Sequence, residues 1–228
     1  MVFGLIILLG LLGLAMLPQL WVQRVLKEHG RERADFPGTG GEFARHILDE
    51  MKLTEVKVEE TKLGDHYDPD ARTVRLLPQH YNGRSLAAVV VAAHEVGHAM
   101  QHATGYAPLM RRSRLAKQAQ RIERIGAIVM LTAPVVMAIV KAPALVFVQI
   151  GAGLLILSST ILMHMTTLPV EFDASFRRAL PVLKAGRYIS EKDMGSARQI
   201  LKAAALTYVA AAAMSLLDVM RWIRVLRF

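Results

Sequence analysis

The residues with the clearest capacity for chemistry are two histidines four positions apart, His94 and His98, with Glu95 between them. The surrounding stretch, residues 86–102, has no proline and only one glycine, Gly97, so it is predicted to form a helix. Side chains four residues apart project from the same face of a helix, and both imidazoles can therefore bind one ion. A glutamate beside that ion can take a proton from bound water. The spacing predicts a zinc ion and hydrolytic chemistry.

The alternative interpretation is a buried helix whose two histidines are only hydrogen-bonded. The eight residues before His94, residues 86–93, are all Leu, Ala or Val. Burying two imidazoles and a carboxyl group unpaired in such surroundings is costly, whereas a metal would satisfy all three groups. The sequence contains no cysteine, so nitrogen and oxygen atoms must supply every zinc ligand.

A third protein ligand is expected, because a catalytic zinc usually has three and keeps one position open. His102 lies eight residues from His94 on the same helix, about 12 Å along its axis at 1.5 Å per residue, too far for one ion to bind both. Glu171 is the better candidate. Residues 125–166 are predicted to cross a membrane twice, which returns the chain to the side of His94. Asp173, two residues further on, is the alternative.

The apolar segments predict a mainly α membrane protein, in which a zincin-like metal helix and a small strand pair accompany three to four transmembrane helices. Residues 1–23 carry no charge and are long enough to cross a bilayer core of about 30 Å, so they are predicted to be an uncleaved N-terminal anchor. A cleaved signal peptide is the alternative, but the run lacks a basic start and is long for that role. Residues 125–166 are predicted to form a transmembrane hairpin, because both apolar runs are uncharged and a basic segment precedes them.

Residues 24–124 are predicted to form the zincin-like region, of which the part from Arg24 to about Ser85 is exposed to water. Thr39 or Gly40 could begin a helix there, and Ser85 is the predicted N-cap of the metal helix, which Gly105 ends.

Two segments of this region, residues 54–59 and 71–77, have the composition of strands, and a turn cluster at residues 64–69 separates them. The edge of such a strand pair can bind a peptide as an added strand, or it can simply cover the core.

The last predicted unit, residues 167–228, contains the third-ligand helix and a C-terminal apolar helix. The uncharged part of the latter is about 15 residues long, short of the roughly 20 needed for a span. Residues 202–217 are therefore predicted either to span the membrane or to pack on the other helices.

The charge of the chain bears on its partners. The 28 Lys and Arg residues exceed the 19 Asp and Glu residues, giving a net charge of +9. The basic residues cluster beside apolar runs, which favours an anionic membrane surface over nucleic acid. No basic stretch is interleaved with aromatic residues, as a single-strand binder would need. The positive-inside rule then places the predicted site at the cytoplasmic face of the membrane.

Three segments together resemble a known family: residues 94–101 (HEVGHAMQ), 168–175 (LPVEFDAS) and 65–69 (DHYDP). They are similar to the bacterial YugP-type family of neutral zinc metallopeptidases of the membrane, and the resemblance covers nearly the whole chain. HtpX-type and prenyl-protein zinc endopeptidases are similar more distantly, and they carry the third ligand in a Glu-x-x-Ala-Asp motif. Here Ser175 replaces the Asp that commonly supports a zinc histidine, so Asp173 is a candidate for that role.

The motif and the resemblance together imply an integral-membrane zinc endopeptidase with a gluzincin-like site. The expected partners are membrane lipid, protein substrates in or near the membrane, and a regulatory membrane protein. The competing predictions are a catalytically silent zinc-binding scaffold and a hydrolase of non-peptide bonds. The expected metal ligands are His94, His98 and Glu171, with Glu95 as general base. The candidate supporting or oxyanion-binding residues are His66, Tyr67, Asp173 and Arg178.

Overall fold

The computed structural model of the 228-residue chain describes residues 16–140 and 144–207. Helices form most of this part of the chain. They are α1 (16–28), α2 (Gly40–Glu50), α3 (Pro78–Tyr81), α4 (Leu86–Ala103), α5 (Ala107–Val140), α6 (Ala144–Phe172), a π-helix (Asp173–Ala179), α7 (Leu180–Ala185), a 3₁₀ turn (Glu191–Asp193) and α8 (194–207).

A small sheet of three strands lies beside the helices: β1 (Lys57–Glu60), β2 (His66–Asp68) and β3 (Thr73–Leu76). β3 is central, parallel to β1 and antiparallel to β2, and Val74 faces Val58 on one side and Tyr67 on the other. The two predicted strands correspond to β1 and β3. The strand β2 was predicted as turn, because its three residues sit between Gly64 and Pro69 and are too few to show an alternating pattern.

The central element of the fold is α4, in which fifteen of eighteen residues are buried. Ser85 caps its first turn by accepting a hydrogen bond from the Ala88 amide at 3.1 Å, as predicted, and the left-handed Gly105 follows its end. Both α2 and the π-helix pack closely on α4: Gly40 of α2 lies against Ala88, and Ala174 of the π-helix lies against Gly97. Thr39 and Glu42 form a capping box at the start of α2, the second predicted helix start.

The predicted transmembrane architecture is not found. Across residues 16–140 and 144–207, none of the helices has both the length and the sustained apolar character required to cross a membrane. The prediction of three to four transmembrane helices, with a hairpin at 125–166, is therefore wrong. One reason lies in α5, which joins the basic segment to the first apolar run. Its uncharged part, residues 125–140, extends about 24 Å at 1.5 Å per residue, against roughly 30 Å for a bilayer core.

Two of the predicted apolar segments fall largely beyond the described part of the chain. Of the predicted anchor, residues 1–15 lie outside it, and residues 16–23 belong to α1. Of the predicted C-terminal segment 202–217, residues 202–207 end α8 and the remainder lies outside the described residues.

Candidate metal centre

The helix α4 carries the two histidines into the interior of the molecule. Their ring centroids are 4.8 Å apart and the ring planes are nearly perpendicular, as expected for side chains one helical turn apart. His94 and His98 are 3% and 6% exposed, and Glu95 between them is 5% exposed. All three polar side chains are therefore withdrawn from bulk water.

The carboxylate of Glu171 meets both imidazoles. It lies at the end of α6, and its Oε2 atom is 3.1 Å from the Nε2 atoms of His94 and His98. Glu171 is fully buried. The helices α5 and α6 pack along each other, and this pair brings the chain back to α4. The structure thus brings together the three residues predicted as metal ligands.

The hydrogen bonds of Ser175 show which ring nitrogen of His94 carries a hydrogen. The Ser175 hydroxyl donates to the Leu201 carbonyl oxygen at 3.1 Å and lies 2.9 Å from His94 Nδ1. A hydroxyl has one hydrogen, so with that hydrogen on Leu201 the oxygen must accept from His94 Nδ1–H. The Nε2 atom of the neutral ring then carries the lone pair, and it faces Glu171.

The same arrangement holds at His98, through a different group. The Gln101 Nε2 donates to the Val170 carbonyl oxygen and to Asp173 Oδ2, both at 2.8 Å, which fixes the orientation of the amide. Its Oε1 therefore accepts from His98 Nδ1–H at 2.9 Å. The Nε2 atom of His98 is again the lone-pair nitrogen that faces Glu171.

Three hydrogen-bond acceptors consequently converge on one buried point: two imidazole lone pairs and a carboxylate oxygen. These are the nitrogen and oxygen donors that zinc accepts, and a cation at that point would satisfy all three at once. The residues present therefore fit a bound divalent metal.

The π-helix that follows Glu171 carries Asp173 and Arg178. Arg178 Nε donates to Asp173 Oδ2 at 2.8 Å. Asp173 was predicted as an alternative ligand or as the support for a histidine. The structure places it one step further away, because it holds Gln101, which in turn holds His98. Ser175 is the residue that contacts His94.

Gly97 allows the π-helix to approach α4. A Cβ atom on Gly97 would lie 2.7 Å from the Ala174 carbonyl oxygen, closer than real contacts allow. Glycine inside a helix is unfavourable by about 1 kcal/mol relative to alanine. Its presence between Glu95 and His98 is therefore explained by the close approach that lets Ser175 reach His94.

The variant Gly97→Ala is expected to push the π-helix away from α4 and weaken zinc binding, with a loss of about 1–3 kcal/mol in the free energy of unfolding. Zinc titration and denaturant unfolding measure the two effects. Gly195→Ala is the matched control, because a Cβ there meets nothing within 4 Å. Equal behaviour of the two variants would contradict this role for Gly97.

Glu95 faces a cleft of about 570 Å³ that also exposes His94, His98 and Glu171. Burial raises the pKa of Glu95 to about 8. A carboxyl group with a pKa close to neutrality can both take up and release a proton, as a general base must. Apolar side chains from several elements form much of the cleft wall: Val22, Leu26, Leu77, Leu109 and Met163.

The predicted oxyanion-binding residues occupy different places. His66 lines the cleft, with its Nδ1 donating to the Gly64 carbonyl oxygen at 2.8 Å. Tyr67 also lines the cleft, but its hydroxyl is 2.8 Å from His102 Nδ1, and burial raises its pKa to about 12. Arg178 is engaged outside the cleft, by Asp173 and by the ring of Tyr106.

Three residues of the site were not predicted to take part in it, although Ser175 was noted at the position where similar enzymes carry the Asp that supports a zinc histidine. Gln101 stands three residues after His98 and Ser175 four after Glu171, so each lies one turn from a predicted ligand. That spacing was an available signal. Arg112 was noted only as part of a basic segment, yet its Nη1 atom is 3.1 Å from Glu171 Oε1.

A buried site of two histidines and a glutamate, open to a cleft and flanked by a second glutamate, defines the class of metal-dependent hydrolases. Residues 4–227 match the model of the family described as "Putative neutral zinc metallopeptidase", and the chain belongs to this family. The resemblance identified from the sequence is thereby confirmed.

Among curated proteins, the chain is similar to "Putative membrane protease YugP" of Bacillus subtilis (strain 168). The two are 35% identical over 216 residues, which cover 94% of this chain and 92% of the relative. No solved structure gives a significant match.

Proposed function

We propose that the chain is a zinc-dependent endopeptidase in which His94, His98 and Glu171 hold the metal. The observation that carries the proposal is the convergence of the two Nε2 lone pairs and Glu171 Oε2 on one buried point beside a cleft. Membership of a zinc metallopeptidase family supports zinc as the ion and peptide-bond hydrolysis as the reaction. In this reading the site is gluzincin-like, with a glutamate as third ligand.

Zinc bound there would polarise the substrate carbonyl and acidify a water molecule. Glu95 takes the proton of the attacking water and passes it to the leaving nitrogen as the peptide bond breaks. Its buried position in the cleft wall excludes bulk water from this transfer. Ser175 and Gln101 keep the two imidazoles in the Nδ1–H form throughout.

His66 is the best placed of the predicted residues to stabilise the oxyanion that forms on the substrate. It lies in the cleft wall, and its Nδ1 is held by Gly64. The other ring nitrogen, Nε2, can therefore donate to a substrate oxygen when the ring is protonated. Tyr67 would first have to leave His102, and Arg178 would have to leave Asp173.

The presence of Glu95 argues against the alternative of a catalytically silent zinc-binding scaffold. A scaffold that only bound zinc would need the three ligands but not a buried glutamate at the cleft surface, which is costly to bury without a use. Glu95 is such a residue.

We further propose that the enzyme associates with the bacterial plasma membrane and acts on proteins in or near it, at the cytoplasmic face. The relative from Bacillus subtilis is named a membrane protease. Large apolar side chains on α6 are more than half exposed and would suit contact with lipid or with a regulatory membrane protein: Phe147, Val148, Leu155 and Leu162. The net charge of +9 favours an anionic lipid surface.

Zinc removal is the test of this proposal. We expect the full-length protein, purified in detergent, to cleave casein when zinc-loaded, to lose this activity on treatment with a chelator, and to regain it on addition of zinc. The exposed-carboxylate variant Glu59→Gln is the control and should behave as wild type. Cleavage that resists complete removal of zinc, or zinc-loaded protein that leaves both casein and membrane-fraction proteins intact, would contradict the proposal.

A further inference from the structure

Arg112 contacts the carboxylate of Glu171 from the side opposite the histidines. It is on α5, its side chain is 17% exposed, and its Nη1 atom lies 3.1 Å from Glu171 Oε1. The other oxygen, Oε2, faces His94 and His98. The two oxygens of Glu171 therefore serve different groups, one a guanidinium and the other the proposed metal position.

This contact has an electrostatic consequence for a metal on Oε2. A guanidinium within 4 Å of a buried carboxylate partly neutralises its negative charge. This interaction is strong in a site of low dielectric constant. The groups behind the two histidines, Ser175 and Gln101, are uncharged and add no negative charge of their own. A metal bound to Oε2 is therefore attracted less strongly by Glu171 than it would be if the carboxylate had no guanidinium beside it.

We propose that Arg112 is a positioning residue that tunes the metal, lowering its affinity and thereby preserving its positive charge for catalysis. The proposal rests on the proposed zinc centre. By occupying Oε1, the guanidinium leaves Oε2 as the metal-binding oxygen. By its charge, it opposes the metal and reduces the electron density that Glu171 donates. Arg112 also lines the cleft, so it acts where the substrate binds.

The opposite reading is that Arg112 only holds Glu171 in place. The two interpretations predict opposite changes in zinc affinity when Arg112 is replaced. If Arg112 were only a support, removing it would let Glu171 move and would weaken metal binding. If its charge tunes the site, removing it frees both carboxylate oxygens for the metal, removes a repelling charge and strengthens metal binding.

The experiment measures the dissociation constant of zinc by competition with a chromophoric chelator. Arg112→Met and Arg112→Gln are expected to bind zinc about tenfold more tightly than wild type, the scale at which neighbours of metal ligands act, while peptidase turnover falls. Arg112→Lys keeps the charge and should not tighten binding. Arg114→Met makes the same charge change at an exposed position of α5 and should leave the affinity unchanged.

Weaker or unchanged zinc binding in both neutral variants would overturn the inference. Thermal unfolding of the metal-free proteins identifies a variant that has lost its fold. If one neutral variant is unfolded, the zinc affinity of the other decides between the two interpretations. A wild-type protein that binds no zinc would contradict the proposed function itself. A wild type that binds zinc, with neutral variants that do not tighten, would contradict only the role of Arg112.

Discussion

Glu95→Gln is expected to bind zinc as tightly as the wild-type protein and to cleave peptide bonds about 100- to 10,000-fold more slowly, the range that a general base contributes. Glutamine has nearly the size of glutamate, so the buried position stays filled. The amide cannot take a proton from water, so only the transfer step is lost. Zinc content and initial cleavage rates, measured on the same preparations, check the two halves of this prediction.

The separation of binding from turnover is what makes this variant informative. Loss of zinc together with activity would mean that Glu95 supports the metal and is not the base. Cleavage at the wild-type rate would remove Glu95 from the mechanism altogether. Glu59→Gln makes the same chemical change on the exposed strand β1 and controls for it.

Glu171→Gln is expected to lose zinc affinity by more than about 100-fold, beyond the usual effect of altering a neighbour of a ligand. The substitution replaces the buried carboxylate, the negatively charged donor at the convergence point, with a neutral amide. It also removes the ion pair between Glu171 and Arg112. Zinc titration of the purified variant, with its fold checked by circular dichroism, measures the loss.

Asp173→Asn is the matched comparison, because Asp173 was the alternative third ligand. Asp173 holds Gln101 and Arg178, one step further from the proposed metal position. We expect its substitution to weaken zinc binding by about 10-fold, rising to 100-fold at most. If Asp173→Asn abolished zinc binding while Glu171→Gln retained it, the assignment of the third ligand would be reversed.

The sequence was most informative where local rules decide the structure. Ser85 and Gly105 marked the ends of α4 because capping depends on side chains within one turn. Thr39, one of the two predicted starts of α2, caps that helix for the same reason. The strand β2 was missed, since three residues next to Gly64 and Pro69 have no periodicity to detect and are held in place by pairing with β3.

The membrane spans were predicted wrongly because apolar composition reports only that a segment avoids water. It does not report where a helix begins. In the structure, α5 starts at Ala107 and includes the basic segment, so its apolar part is shorter than a span requires. Glu171 was expected near the histidines because two membrane crossings would return the chain to their side. In the structure the return comes from the packing of α5 against α6, and Glu171 does meet His94 and His98.

The network behind the ligands could not be read from the sequence, because it depends on contacts between distant segments. From the sequence alone, Gln101 could be a surface residue of a helix. In the structure its amide is held by Val170 of α6 and Asp173 of the π-helix. The direction of the Ser175 hydroxyl is fixed only because the Leu201 carbonyl oxygen of α8 accepts its hydrogen bond. The roles of the individual site residues stay predictions that the variants above test.

Anomalous X-ray scattering at the zinc absorption edge, measured on crystals of the zinc-loaded full-length protein, locates the metal itself. We expect one strong peak, in contact with the Nε2 atoms of His94 and His98 and with Oε2 of Glu171. A peak elsewhere in the molecule, or a zinc-loaded crystal with no peak between these three atoms, would contradict the proposed zinc centre.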